Sequence, residues 1–385
     1  MQPRLRFKEY SDDWEEKTLD DVTDIFKSGQ GITSENISTT GAYPVYGGNG
    51  LRGFTERYTH DGFYALIGRQ GALCGNINTT DGKSFISEHA IAVKANLESS
   101  TQWLAYKLNL MNLNRLSESS AQPGLAVNKL LKLQIILPLK NEQTKIASFL
   151  SAVDEKITQL SKKHELLTQY KKGVMQKIFS RELRFKADNG SDYPDWESST
   201  IKDLASTVTA GATPSTLKKE YWGGNIRWMN SGELNLKQVH EVENRITDLG
   251  LKNSSTKLIP LNSVLIGLAG QGKTRGTVAI NHVEICTNQS IAAIHPNPKK
   301  FNPVFLYNNL DGRYDELRAM STGDGGRGGL NIQIIKSISV TIPCLAEQNK
   351  IANLLSAIDD RIQNTKAQLK STKKYKQGLL QQMFV

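Results

Sequence analysis

The chain has 385 residues and a formal net charge of +10, so it is long enough for two or three domains with real cores. Its scattered cysteines, Cys74, Cys286 and Cys344, indicate neither a zinc site nor a disulfide framework and favour a reduced, cytoplasmic compartment. We expect no signal peptide, because the N-terminus is charged, and no membrane span, because the most apolar run (130–139) is too short. The basic excess favours a polyanionic partner such as nucleic acid.

The first element in chain order is a pair of short motifs that occurs twice. The motif L-R-F-K at 5–8 and the motif D-W-E at 13–15 return at 183–186 and 195–197. Each pair opens a β-rich stretch. The two stretches contain four pairs of similar segments, called anchors here: 63–71 with 264–272, 88–92 with 288–292, 103–106 with 304–307, and 124–125 with 329–330. Between the anchors the sequences diverge. We therefore expect one scaffold with two sets of unlike loops, which suggests one task on two targets. Core anchors are expected at Trp14, Trp103 and Trp196.

One segment of the second stretch imitates a nucleotide-binding loop. Residues 267–274 satisfy the P-loop pattern G-x-x-x-x-G-K-S/T. A P-loop must open a helix whose N-terminus receives the phosphates, whereas 275–280 are β-branched and contain glycine. The corresponding loop of the first stretch also lacks the Lys-Thr pair. The segment therefore predicts a hairpin turn.

Two long helical segments complete the repeat. Pro138–Ser180 recurs without a gap at Pro343–Val385, 205 residues later, and proline is found only where each segment begins. Apolar residues alternate in steps of four and three, which is the seam of a coiled coil. The seam residues are Ile146, Leu150, Val153, Ile157 and Leu160 in the first segment, and Ile351, Leu355, Ile358, Ile362 and Leu369 in the second.

The order of the segments predicts how the helices pair. The first leaves one domain for the other and the second returns, so the helices must run antiparallel and cover each other's apolar stripe. At 1.5 Å per residue, the pair is about 60 Å long and separates the domains. The junction after Phe179 resembles the one formed by placing Val385 beside Met1, which predicts a closed cycle with neighbouring termini. Polar seam residues are expected to fix the register: His164, Lys171, Thr365, Thr372 and Lys376.

Motifs for chemistry are missing from the sequence. It contains no H-E-x-x-H, no G-x-S-x-G, no glycine fingerprint for dinucleotides and no tetrapeptide typical of exocyclic-amine methyltransferases. No metal site is indicated either. We therefore expect a chain without catalytic residues.

The architecture resembles, over the whole chain, the specificity subunit of type I restriction–modification systems. The resemblance rests on the paired L-R-F-K and D-W-E motifs, on two G-Q-G loops with Ile-Ala downstream, and on helices that open E-Q-x-K-I-A. The helix motif occupies Glu142, Gln143, Ile146, Ala147 and Asp154, and again Glu347, Gln348, Ile351, Ala352 and Asp359. The resemblance implies an α+β fold in a pseudo-twofold cyclic arrangement. Its parts are target recognition domains at 1–140 and 183–345, a central coiled-coil helix at 141–182 and a C-terminal coiled-coil helix at 346–385.

The resemblance also implies function and partners. Each recognition domain would read one half of a bipartite site in double-stranded DNA, and the chain itself would not be an enzyme. Two modification subunits would use S-adenosylmethionine to methylate N6 of an adenine in each half-site, flipping the base into their own pocket. Two motor–nuclease restriction subunits would use ATP and Mg. This chain would bind no cofactor and no membrane.

Candidate DNA-reading residues lie in the variable loops and the G-Q-G hairpins. Arginine suits guanine, and asparagine or glutamine suits adenine, because each pair can form two hydrogen bonds. In the first domain the candidates are Tyr46, Asn49, Arg52, Arg69, Gln70 and Lys83. In the second domain they are Arg227, Asn230, Gln271, Lys273, Arg275 and Arg327.

Three other functions stay open at this point. A P-loop NTPase would require tight ATP binding by the isolated chain. A coiled-coil adaptor without DNA readout would explain the helices but not the basic, divergent loops. A single-chain restriction enzyme would need nuclease and methylase motifs of its own.

Overall fold

The computed structural model describes residues 2–71, 73–117, 124–270, 274–320 and 329–385. The chain folds as two compact units. The first unit comprises Met1–Lys162 and Lys366–Val385, and the second unit comprises Lys163–Thr365. Each unit therefore joins one β-rich stretch to a part of both long helices. The predicted α+β class, with two β-rich domains and two long helices, is confirmed.

The first unit is built around a four-stranded antiparallel sheet in the order β2-β8-β5-β6. A second sheet, β4-β3-β7, and the strand pair β1-β9 accompany it. The strands are β1 (Glu15–Thr18), β2 (Thr23–Ser28), β3 (Tyr43–Gly47), β4 (Gly50–Thr55), β5 (Tyr64–Gly68), β6 (Ile77–Thr80), β7 (Phe85–Ile86), β8 (Ala90–Ala95) and β9 (Gln134–Leu137). The helices are α1 (Thr101–Leu110), α2 (Val127–Leu131) and the first part of α3 (Lys140–Phe179), with 3-10 turns at Ser34–Asn36 and Leu113–Leu116. Strand β5 is buried along its whole length, which explains its unbroken apolar sequence.

The second unit repeats this plan with sheets β11-β18-β15-β16-β13 and β14-β12-β17 and the strand pair β10-β19. Its strands are β10 (Glu197–Thr200), β11 (Val208–Ala210), β12 (Trp222–Met229), β13 (Gln238–Val239), β14 (Asn244–Ile246), β15 (Val264–Gly267), β16 (Val278–Asn281), β17 (Cys286–Thr287), β18 (Ile291–Ile294) and β19 (Ser339–Ile342). Its helices are α4 (Ile201–Leu204), α5 (Asp248–Lys252), α6 (Pro303–Asp311), α7 (Tyr314–Ala319), α8 (Ile332–Ser337) and the first part of α9 (Leu345–Met383). Short 3-10 turns lie at Lys219–Tyr221 and Ser231–Leu236.

Aromatic clusters anchor the core of each unit. In the first unit, Trp103 contacts Trp14 edge-on at 6.2 Å between ring centroids and stacks on Phe384 at 5.4 Å. In the second unit, Phe305 makes the equivalent contact with Trp196 at 5.8 Å, one residue beyond Val304, which the anchor 304–307 pairs with Trp103. The predicted core role of the tryptophans is confirmed, because Trp14, Trp103 and Trp196 are 5%, 1% and 8% exposed.

The E-Q motif of the first unit holds the start of α3 in place. Arg6 donates to both carboxylate oxygens of the buried Glu142, at 2.7 and 2.8 Å. The side-chain amide of Gln143 donates to the Pro138 carbonyl at 2.8 Å and accepts from the Ser100 backbone at 2.8 Å. A buried carboxylate and amide persist here because each has its partners.

The second unit makes the same contacts with the second copies of the motifs. Arg184 lies 2.9 Å from the fully buried Glu347, and the amide of Gln348 donates to the Pro343 carbonyl at 2.8 Å and accepts from the Asn302 backbone at 2.8 Å. The L-R-F-K arginine and the E-Q pair therefore form one structural unit. This explains why they recur together in the sequence.

The long helices run antiparallel where they meet inside each unit. In the first unit, Lys376 of α9 pairs with Asp154 of α3 at 2.5 Å; in the second unit, Lys171 of α3 pairs with Asp359 of α9 at 2.7 Å. Each pair joins a residue late in one helix to a residue early in the other. The seam lysines thus have defined partners, as expected of residues that fix register. The seam threonines behave differently, because Thr365 donates to a carbonyl one turn earlier in its own helix.

The seam residues are covered unevenly. Six are buried and four are half-buried: Ile146, Leu150, Leu160, Ile351, Leu355 and Ile358 are buried, and Val153, Ile157, Ile362 and Leu369 are half-buried. Ile146 and Leu150 belong to the same apolar cluster as Trp103, and Ile351 belongs to that of Phe305. The expectation that each stripe is covered by the other helix is therefore incomplete, because the β-rich stretch covers part of it.

The expected match between 63–71 and 264–272 is wrong in register. Gly68 donates to the Asn76 carbonyl and accepts from Gly75, both at 2.8 Å. Gly267 makes the equivalent bonds with Thr277 and Gly276, both at 2.9 Å. Gly68 therefore corresponds to Gly267, and the loop of the second unit is two residues longer. An ungapped comparison could not detect this insertion.

Candidate nucleic-acid interface

Two hairpins of the first unit bring three of the six predicted residues together. The β3–β4 hairpin carries Asn49 in its turn and Arg52 on β4, and the β5–β6 hairpin carries Gln70. These three side chains line one cavity of about 240 Å³ together with Gly48 and His89. Asn49, Arg52 and Gln70 are exposed, so the cavity opens to solvent.

Glycines allow the two hairpins to approach each other. A Cβ on Gly48 would lie 2.8 Å from the His89 carbonyl oxygen, and a Cβ on Gly68 would lie 2.7 Å from the Gly48 carbonyl oxygen. A side chain at either position would push the hairpins apart. Gly50 has a φ of 93°, which closes the tight turn around Asn49.

The stem of Arg52 is fixed against the backbone of β3. A Cβ on Gly47 would lie 2.6 Å from Cδ of Arg52, so the arginine stem crosses the space that a larger residue would fill. Within the ranges described above, Arg52 has neither a carboxylate partner nor a hydrogen bond. Its guanidinium is therefore available to a ligand.

His89 was not predicted from the sequence. It lies just before strand β8, inside the anchor 88–92, whose apolar residues predict a strand and no binding residue. Its Nε2 lies 3.2 Å from Oε1 of Glu88, and Oε2 of Glu88 is buried without a hydrogen bond to any described residue. The signal in the sequence is a polar residue directly before the apolar run 90–93.

The other three candidates of the first unit lie apart from the cavity lining. Tyr46 is half-buried, and its carbonyl accepts from Ser87. The backbone of Arg69 bridges the His89 carbonyl, at 2.9 Å, and the Leu125 amide, at 3.0 Å. Lys83 lies over the ring of Tyr58 at 4.9 Å from its centroid. Whether these residues contact DNA stays a prediction.

In the second unit, two candidates are engaged in local contacts. Arg227 pairs with Glu241 at 3.1 Å, and Arg245 pairs with the same carboxylate at 2.5 Å. The Val242 backbone amide, followed by these two arginines, lowers the pKa of Glu241 to about 2. Asn230 caps the 3-10 turn at Ser231–Leu236 by accepting from Gly232 at 2.8 Å, and Glu233 completes the capping box. Their roles toward DNA stay predictions.

The remaining candidates are Gln271, Lys273, Arg275 and Arg327, of which the first two belong to the sequence that imitates a P-loop. Gln271, Lys273 and Arg327 lie outside the described residues, and Arg275 is half-buried. Strand β15 pairs antiparallel with β16, with Val264 opposite Ile280. The predicted hairpin is therefore confirmed, and no helix opens after Thr274 to receive phosphates.

The described parts of the chain contain neither a metal-binding cluster nor a helix that could span a membrane. No group of three or more His, Cys, Asp or Glu side chains there is arranged to hold a metal ion. None of the helices in the same ranges has the length and apolar character needed to cross a membrane.

Curated relatives match parts of the chain. The EcoprrI specificity subunit of the type I restriction enzyme from Escherichia coli is 39% identical over 165 residues, which cover 41% of each protein. The MjaIX specificity subunit from Methanocaldococcus jannaschii is 31% identical over 211 residues, 54% of this chain and 48% of that protein. The chain thus spans less than half the length of these two relatives.

A solved structure matches the whole chain. The S subunit of a type I restriction–modification system from M. genitalium superimposes with a TM-score of 0.73 over 100% of this chain and 99% of that one. At 18% identity this likeness shows the fold alone.

The family model described as type I restriction modification DNA specificity domain matches twice, at residues 11–169 and 193–373. Each match includes one D-W-E motif, one β-rich stretch and most of one long helix. The two matches together cover well over half of the 385 residues. The resemblance inferred from the motifs is therefore confirmed, and the chain belongs to the family of type I restriction–modification DNA specificity subunits.

Proposed function

We propose that this chain directs a type I restriction–modification complex to a bipartite DNA site and that each unit reads one half of it. The observation that carries the proposal is the duplicated frame with unlike loops. The Arg–Glu and E-Q contacts are the same in both units, whereas the residues between them differ in length and charge. A shared frame with different loops suits two recognition tasks of the same kind.

The partners follow from the same proposal. Two modification subunits would methylate N6 of one adenine in each half-site with S-adenosylmethionine, and two restriction subunits would supply ATP- and Mg-dependent translocation and cleavage. This chain would contribute recognition and no catalytic residue. Base flipping belongs to the modification subunits, since an enzyme that acts on a base must hold it in its own pocket.

The loops of the first unit support DNA as the ligand. Arg52, Asn49 and Gln70 present hydrogen-bonding groups in one exposed cavity, and such groups read base edges in the major groove. A coiled-coil adaptor would have no need of an unpaired arginine that shares a cavity with two amides. The hairpin formed by β15 and β16 argues against a P-loop NTPase.

The test is a map of adenine methylation across the genome with and without this gene. We expect one bipartite motif, methylated in both halves, that disappears when the gene is deleted and returns when it is restored. A methylation pattern that does not depend on the gene would contradict the proposal. As a control, deletion of the restriction subunit alone should leave the motif methylated.

A further inference from the structure

We propose that Arg52 reads a guanine in the half-site of the first unit, inside the cavity that it forms with Asn49, Gln70 and His89. This inference rests on the proposed function, since it names the base and the side chains for one half-site. It concerns the described residues of the first unit only.

The first argument is the availability of the guanidinium. The cavity contains one arginine, and in the part of the chain that the structure describes no carboxylate neutralises it. Arg227 of the second unit differs, because Glu241 occupies its guanidinium at 3.1 Å. A planar guanidinium without a partner matches the two acceptors, O6 and N7, that guanine presents in the major groove.

The second argument is the position of the side chain. Gly47 leaves room for the stem of Arg52, whose Cδ lies where a Cβ would come within 2.6 Å. The stem is thereby confined on one side by backbone. A confined arginine loses less conformational freedom on binding than one that projects freely into solvent.

The third argument separates a base from a phosphate. Glu88 directly precedes the cavity-lining His89, with its Oε1 3.2 Å from Nε2 of that residue and its Oε2 buried without a described partner. A negative carboxylate next to a residue of the cavity lining disfavours a phosphate group there, whereas an uncharged base edge does not experience that repulsion. The amides of Asn49 and Gln70 add donors and acceptors suited to neighbouring base edges.

The test is selection of binding sites from randomised duplex DNA by the full chain assembled with its modification subunits. Five variants are compared with the unmodified protein: Arg52→Ala, Arg52→Lys, Gly47→Ala and the controls Arg57→Ala and Gly31→Ala. Arg57 is an exposed arginine of the same unit that lies over the Phe85 ring at 5.1 Å. Gly31→Ala is a further control, because a Cβ there would meet no atom within 4 Å.

We expect both Arg52 variants to lose discrimination at one guanine of the first half-site by about 5- to 150-fold, the range for one bidentate contact. Gly47→Ala should reduce discrimination at the same guanine. The bases selected in the second half-site should stay unchanged in every variant. The Arg57→Ala and Gly31→Ala variants should select the original site.

Two outcomes would overturn the inference while leaving the proposed function intact. One is a uniform loss of affinity for all sequences with a smaller salt dependence, which identifies a phosphate contact. The other is a loss of discrimination between bases at a position of the second half-site instead of the first. If the unmodified protein selects no bipartite site at all, the proposed function fails and this inference fails with it.

Discussion

Lys171 on α3 lies 2.7 Å from the carboxylate of Asp359 on α9, and both side chains are mostly buried, at 14% and 22% exposure. Burial raises the pKa of Asp359, and the charge and hydrogen bond of Lys171 oppose this rise. Lys171 therefore favours the anionic form of a carboxylate whose charge is disfavoured by burial.

The first prediction concerns this pair. Lys171→Met should destabilise the second unit by about 1 to 3 kcal/mol at pH 7, because it leaves a buried charge unpaired. The measurement is the urea midpoint of the helical circular dichroism signal of the full chain. Lys172→Met, at the exposed neighbouring position, should have little effect and serves as the control.

The pH dependence of this loss has a definite sign. Without Lys171 the pKa of Asp359 rises further above its value in the unfolded chain, so the folded state binds a proton more readily. The destabilisation should therefore be smaller at pH 4 than at pH 7, and Lys171→Met with Asp359→Asn should recover most of it. A loss that is equal at both pH values would show that the lysine stabilises through packing.

The second prediction concerns the buried carboxylate of the E-Q motif. Arg184→Met should cost about 3 kcal/mol of stability, since Glu347 is fully buried and would lose its charged partner. Lys186→Met is the matched control, because Lys186 belongs to the same L-R-F-K motif but is 67% exposed. Equal urea midpoints for the two variants would contradict this role of the motif.

The third prediction concerns the arginines that Glu241 neutralises. Glu241→Gln should release Arg227 and Arg245, so binding to DNA of any sequence should tighten and its dependence on salt should steepen. Glu243→Gln removes the same charge from an exposed position two residues away and is the control. An identical increase in both variants would show an effect of net charge alone.

The low pKa of Glu241 predicts that its effect on DNA affinity does not depend on pH near neutrality. Its pKa is lowered to about 2, so its stabilising contribution is present above its unfolded pKa and is lost only as the pH falls through about 2. Between pH 5 and 8 the carboxylate stays charged. The effect of Glu241→Gln on DNA affinity should therefore be constant across that range.

The fourth prediction comes from the sequence and falls on Lys273, outside the described residues. Lys273→Ala should weaken binding to all DNA sequences about equally and lower the salt slope by about one, as loss of a phosphate contact does. Lys299→Ala, at an exposed lysine of the second unit, is the control. Retained DNA affinity together with loss of measurable ATP binding would instead support a P-loop.

Patterns that repeat along the chain were readable from the sequence. The two helices follow from their seam and from the prolines before them, and α3 and α9 begin within three residues of Pro138 and Pro343. The hairpin in place of a P-loop followed from the β-branched residues after Thr274. The core positions of the tryptophans followed from their recurrence beside a motif.

Contacts between distant residues were not readable. The sequence gives no sign that Arg6 meets Glu142, because 136 residues separate them. Asn230 could be a DNA contact or a helix cap until the turn at Ser231–Leu236 is known. His89 acquires its importance only when two glycine-containing hairpins bring Arg52 and Gln70 into the same cavity with it. The two additional residues between Gly267 and Gly276 are invisible without the hydrogen bonds that define the loop.

The contacts of Gln143 have a consequence for how recognition can change. Its amide ties the carbonyl just before α3 to the backbone just before α1, and Arg6 ties the chain's opening motif to the same helix turn. These bonds hold the residues at the two ends of the β-rich stretch in place, and they do not involve its variable loops. A stretch of another length or composition can therefore be exchanged between fixed margins, as the longer loop of the second unit illustrates. The recognition specificity of a unit can therefore change by exchange of this stretch alone, while the rest of the chain stays the same.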